Sequence, residues 1–187
     1  MYFLFVPFLE AIGSPGVTGL LVIGIGNPDC GDDAIGPLVA QRLVGRFPPE
    51  VAILERTGDM LGLIEDWSGC DGVVLIDAAA LVTTPGTIHR IDLLHESLPA
   101  GLSLASTHGF GLADAVGFAR ALGQLPATLV VYAMEGGRCD RGAPPSPEVV
   151  AAAEAIAERV IREVMRMGDG LTAGRPFQGQ VPAPAVD

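Results

Sequence analysis

The chain has 187 residues, almost half of them hydrophobic and 18% charged, which suits one globular domain with a sizeable core and excludes a disordered polymer. Its formal net charge is −11, its 11 basic residues are all arginine, and no basic run offers phosphate a surface, so nucleic acid is excluded as a partner. Three scattered cysteines, Cys30, Cys70 and Cys139, show no CxxC spacing; this argues against a disulfide framework or structural zinc and suits a reducing cytoplasm.

The opening run from Met1 to Leu9 is apolar but contains Pro7 and no basic residue. It is too short for a membrane span and lacks the charged start of a secretory signal, so residues 1–19 are expected to form an extension and a Gly/Pro/Ser-rich linker. No other stretch could cross a bilayer. Leu20 to Ile25 is a continuous apolar run, as expected of a central parallel strand buried on both faces. A loop from Gly26 to Gly31 follows. Ile35, Leu38, Val39 and Leu43 then mark an amphipathic helix, with Pro37 tolerated near its start. Val51 to Leu54 reads as the second strand and Met60 to Trp67 as a short helix.

Gly72 to Asp77 repeats the buried-strand pattern and closes on a carboxylate. Gly86 to Ile91 alternates after a Pro-Gly turn, too soon for a helical crossover, and is expected to be an antiparallel edge strand. Gly111 to Leu122 forms a helix with Gly123 as its stop, and Ala127 to Ala133 is the last strand. Ser146-Pro147-Glu148 announces the final helix, whose inward face is Val149, Ala153, Ile156, Val160 and Val164, with Gly168 as its end. The Gly/Pro/Ala-rich residues 169–187 are expected to be a disordered tail. Together these elements predict an α/β fold over residues 20–168: a three-layer α/β/α sandwich around a mostly parallel five-stranded sheet.

In such sheets, ligands bind beyond the carboxyl ends of the strands, where strand order reverses. Asn27, Asp29, Asp32 and Asp33 follow the first strand, Asp77 closes the third, and His108 precedes a helix. Two carboxylates and an imidazole on one rim can hold a borderline divalent cation such as nickel or zinc. Asp32 reads as a turn residue that satisfies backbone N–H groups, and His89 and His95 as structural or solvent-facing. Asp77 is harder to assign to structure, because an acid closing an apolar strand has few structural duties. The segment Gly24-Ile25-Gly26-Asn27-Pro28-Asp29 carries an aspartate where the third glycine of a dinucleotide fingerprint belongs, which disfavours a nucleotide despite Glu55 near the second strand's end. Cys30 beside a histidine and an aspartate would suit a cysteine hydrolase only if it met His108.

These motifs together resemble the [NiFe]-hydrogenase maturation proteases. The resemblance lies in Gly24 to Gly36, in Val73-Val74-Leu75-Ile76-Asp77-Ala78 and in Ser106-Thr107-His108-Gly109-Phe110-Gly111-Leu112-Ala113-Asp114, in the family's order. It implies one twisted sheet between helices and an aspartyl-type endopeptidase that trims the C-terminal extension of the hydrogenase large-subunit precursor. It also implies that Asp33, Asp77 and His108 are the catalytic, nickel-recognising residues, with nickel supplied by the precursor and no resident cofactor. Some family members carry glutamate at the position of Asp33. Against this stand a non-catalytic metal- or nucleotide-binding regulatory domain and a Cys30-dependent hydrolase. No membrane partner is expected.

Overall fold

The computed structural model describes residues 19–57, 60–96, 99, 101–104, 111–136 and 138–173. Strand β1 (Leu20–Ile25) is buried along its whole length, as its unbroken apolar run requires. It pairs in parallel with β2 (Val51–Arg56) on one side and with β3 (Gly72–Ala80) on the other. β3 in turn pairs in parallel with β5 (Thr128–Gly136), and β4 (Ile88–Asp92) runs antiparallel along the outer edge of β5. The strand order is therefore β2-β1-β3-β5-β4. The expected sandwich, its five strands and its single antiparallel edge are all present.

Alternation along the strands divides the core in two. Leu21, Ile23, Val73, Leu75, Leu129 and Val131 face one cluster, which α2 (Met60–Trp67) and α3 (Leu112–Leu122) cover. Val22, Val74, Ile76, Val130 and Tyr132 face the other, under α1 (Ile35–Leu43) and α4 (Pro147–Ala173). The five expected inward residues of α4 are all buried. Its first turn is capped by the Ser146 hydroxyl, which accepts from the Val149 N–H at 3.4 Å. Gly123 ends α3 in the left-handed conformation, with φ 67°, a backbone state that glycine adopts without steric cost.

Several boundaries differ from expectation, among them the edge strand, which spans Ile88–Asp92, and the last strand, which runs to Gly136 rather than Ala133. Asp77 does not close β3, which continues through Ala80 because β5 stays in register beside it as far as Gly136. β2 runs two residues past Leu54, paired with β1. Gly168 does not stop the last helix, which continues to Ala173. A helical glycine costs only about 1 kcal/mol, and the side chain of Met167 just before it packs over Gly72. The expected extension over residues 1–18 and most of the expected tail lie outside the described residues. Among the described residues, no helix is long and apolar enough to cross a membrane.

Candidate active site

The reversal of strand order falls between β1 and β3. β1 pairs with β3 only as far as Gly24 opposite Ile76, whereas β3 and β5 stay paired through Ala80 opposite Gly136. Asp77 is thus the first residue of β3 beyond the β1 ladder. It lies on the α2/α3 side of the sheet, two residues from both Leu75 and Ala79 of that core cluster.

The chain leaves β1 at Gly26, whose φ of 135° belongs to glycine and whose missing Cβ would overlap the Asp33 carbonyl. A single 3-10 turn, Gly31–Ala34, then carries Asp32 and Asp33 into α1. Gly24 and Gly36 face each other where β1 and α1 cross, and a Cβ on either would run into backbone of the other element. The glycines that suggest a dinucleotide fingerprint therefore serve close packing and a tight turn.

The two neighbouring acids have different environments. Asp32 is 2% exposed and ties the turn to the loop between β5 and α4. Its carboxylate accepts from the Arg138 N–H at 3.0 Å and the Ser146 N–H at 2.9 Å, and its own N–H donates to the Arg138 carbonyl at 2.7 Å. It is structural, as expected, although the N–H groups it satisfies belong to a distant loop. Asp33 is half-buried and accepts from the Asn27 N–H at 2.8 Å. Burial pushes its carboxyl above the ordinary value, and the Asn27 N–H pulls it partway back.

Asp77 is 1% exposed, and neither of its carboxyl oxygens has a hydrogen-bond partner among the described residues. Its pKa lies well above the ordinary carboxylate value, first because burial disfavours the charge and then because the charge of Asp33 is close by. The Ala78 amide pulls the other way but lies outside hydrogen-bonding geometry. Two of the three expected site residues are thus electrostatically coupled. The third, His108, lies outside the described residues. Among the described residues, no three histidine, cysteine or acidic side chains gather as a metal site, so the acid pair alone is only part of a coordination sphere.

A second buried carboxylate, Glu135, went unnoticed in the sequence. It stands opposite Ala79 in register and is fully buried. It accepts from the backbone N–H groups of Val82 and Thr83, the Thr83 hydroxyl at 3.0 Å and His89 Nε2 at 2.7 Å. These donors, the Thr83 N–H foremost, hold its pKa down to about 2. It anchors the segment that follows β3, and His89 takes the structural role expected of it. The signal was an acid just past the apolar run of the last strand, the same signal that singled out Asp77. His95 bonds its neighbour Asp92 at 3.1 Å. Cys30 Sγ lies against Cys139, 2.9 Å from its Sγ.

The family profile described as "Hydrogenase maturation protease" matches residues 38–163. The chain belongs to the hydrogenase maturation protease family. Its membership makes it a peptidase by class. The matched span includes Asp77 and His108 and starts beyond Asp33. The hydrogenase 2 maturation protease of Escherichia coli K12 is 29% identical over 153 residues, which cover 80% of this chain and 92% of that protein. The solved hydrogenase-maturating endopeptidase HybD of E. coli superposes with a TM-score of 0.68 at 25% identity, covering 80% of this chain and 93% of that one. The [NiFe] hydrogenase maturation protease HycI of Thermococcus kodakarensis KOD1 does so with a TM-score of 0.60 at 30% identity, covering 84% and 98%. This family member thus shares its relatives' architecture over nearly their full length.

Proposed function

We propose that the chain is the endopeptidase that removes the C-terminal extension from a [NiFe]-hydrogenase large-subunit precursor after nickel insertion, and that Asp33, Asp77 and His108 read that nickel as part of the substrate. Asp77 carries the proposal. A structural acid surrounds itself with donors, as Asp32 and Glu135 do, whereas Asp77 is buried with both oxygens unpartnered among the described residues and a second carboxylate nearby. An orphaned carboxyl of this kind fits a ligand that arrives from outside.

The described residues on either side of His108 support its inclusion with the acids. The segment before it starts at Leu104, which bridges to Ala79, two residues along β3 from Asp77. The segment after it enters α3, on the face of the sheet that Asp77 occupies. His108 precedes Gly111 by three positions, a reach of about 10 Å. Two carboxylates and a neutral imidazole make a donor set suited to a borderline cation such as nickel.

The chemistry follows from the protonation states. Burial and the charge of Asp33 favour the protonated form of Asp77, and an approaching cation favours the charged one. A nickel-free precursor brings no cation to offset that burial and gains less at Asp77 than a loaded one. Asp33, less buried and held by the Asn27 N–H, ionises more readily and fits the role of general base toward water. The substrate's metal supplies polarisation of the scissile carbonyl. No resident cofactor takes part.

The test compares nickel-loaded with nickel-free cognate precursor and follows the C-terminal mass. Wild type and Cys30→Ala are expected to trim only the loaded form, and Asp77→Asn and His108→Ala neither form. Equal trimming of both forms would overturn nickel reading, and no trimming of either would overturn the assigned reaction. Loss of trimming in Cys30→Ala alone would transfer the chemistry to Cys30.

A further inference from the structure

Cys30 sits at the entry of the 3-10 turn that carries Asp33, and Cys139 in the loop between β5 and α4. Their sulfurs are 2.9 Å apart, and Cys30 Sγ also lies 3.5 Å from the Cys139 carbonyl. A disulfide needs about 2.05 Å between sulfurs, so closing one requires a movement of about 0.9 Å. Two thiolates on one tetrahedral zinc, at about 2.3 Å each, would stand roughly 3.8 Å apart. The gap lies midway between the two spacings, and among the described residues no third histidine, cysteine or acidic side chain gathers with the pair to complete a metal site.

With both thiols free, backbone hydrogen bonds already bring the two loops together. Gly31 N–H donates to the Ala143 carbonyl at 3.1 Å, Asp32 N–H to Arg138 at 2.7 Å, and Gly142 N–H to Asp29 at 2.6 Å. The Asp32 carboxylate adds its bonds to Arg138 and Ser146. Gly31, with φ 55°, has no side chain to hold the loops apart; a Cβ there would come within 2.8 Å of the Arg138 carbonyl.

We propose that Cys30 and Cys139 are a redox-responsive pair that closes into an intramolecular disulfide and pins the Asp33 turn to the β5–α4 loop. The oxidant is a small-molecule disulfide such as glutathione disulfide. Cys139, the exposed member, attacks as thiolate on one glutathione sulfur and expels one glutathione thiolate. Cys30 then attacks the Cys139 sulfur of the mixed disulfide and expels the second. Two protein thiols and one disulfide become one protein disulfide and two glutathione thiols, which keep the protons. The Cys139 thiol is pushed up to about 11, first by its hydrogen bond with Cys30 and then by burial, so the first step is slow at neutral pH. The consequence for trimming rests on the proposed function: a pinned turn leaves Asp33 less able to adjust to an incoming substrate, and the oxidised form trims more slowly.

The experiment equilibrates the full chain in glutathione buffers of increasing oxidation, blocks free thiols with N-ethylmaleimide and maps peptides by mass. A Cys30–Cys139 cross-link is expected, reversed by dithiothreitol, lost in Cys30→Ser and Cys139→Ser and retained in Cys70→Ser. The oxidised wild type is expected to melt several degrees higher than the reduced form, and oxidised Cys139→Ser to show no rise. Glutathione left on Cys139 without a cross-link, or two freely alkylated thiols in oxidising excess, would overturn the pair. Equal trimming by oxidised and reduced wild type would overturn its regulatory role. A cross-link with no trimming in either state would instead sink the protease assignment and leave the pair intact.

Discussion

Replacing Asp32 with alanine should unfold the protein at markedly lower temperature, whereas Asp33→Asn, one residue on, should leave the melting point nearly unchanged. Asp32 is 2% exposed, and its carboxylate holds two backbone N–H groups of the β5–α4 loop, those of Arg138 and Ser146. Hydrogen bonds to charged groups contribute about 1.5–3 kcal/mol each, and water entering the vacated space recovers part of that, so a net loss of about 3 kcal/mol is expected. For a domain of this size each kcal/mol moves the midpoint by about 2–4 °C, which gives a drop of about 6–12 °C. Asparagine at position 32 keeps one acceptor but turns its amino group toward the other N–H, and should recover no more than half of the loss. Trp67 is the only tryptophan and is fully buried, so its fluorescence during heating reports the transition. A midpoint for Asp32→Ala within about 2 °C of wild type would refute the view that this acid stitches two loops together.

Asp77, proposed above as a reader of the metal, should behave in the opposite way. Asp77→Asn is expected to lower trimming of loaded precursor by about 100-fold or more, measured as C-terminal mass against time. The folded chain holds the Asp77 proton more tightly than the unfolded chain does, so wild type loses stability as pH rises from about 3.8 through the raised folded pKa. The stability of Asp77→Asn relative to wild type should therefore grow between pH 4 and 8 in urea titrations, and a shrinking difference would contradict the burial argument. Glu135 shows the reverse sign: its pKa falls from 4.5 to about 2, so its contribution is complete above pH 4.5 and is lost as pH falls toward 2. The stability lost in Glu135→Gln should accordingly be largest near pH 5 and fade on acidification. Gly36→Ala should cost about 1–3 kcal/mol by forcing α1 away from the Ile25 backbone, measured from the guanidinium midpoint.

The core was legible from the sequence because its signals are local and repeated. Val22, Val74 and Val130 sit in unbroken apolar runs, and one stripe of α4 carries Val149 through Val164 to the core. Strand ends were less legible, since Ala78, Ala79 and Ala80 look like a fading strand and continue only because β5 accompanies them to Gly136. Asp77 was found because an acid after an apolar run stands out, but its lack of partners among the described residues is a property of the assembled sheet. Glu135 carries the same local signal and has four donors; periodicity cannot tell an acid that holds a loop from one buried without a partner among the described residues. The distant partners of Asp32 and Cys30 were beyond reach, because the loop that supplies them lies more than a hundred residues away.

The unequal lengths of β1 and β3 divide one edge of β3 between two partners. β1 leaves the sheet after Ile25, while its neighbour runs on through Ala80; beyond that point Leu104 bridges to Ala79 and the Ala80 N–H donates to the Ser103 carbonyl. The opposite edge is stiff, because β5 accompanies β3 there as a continuous ladder to Gly136. Asp77 stands where the first edge changes hands, which ties its surroundings to two segments far apart in sequence. Lengthening β1 by two residues would have to displace Leu104 from Ala79, and would change that junction while leaving every acid in the chain.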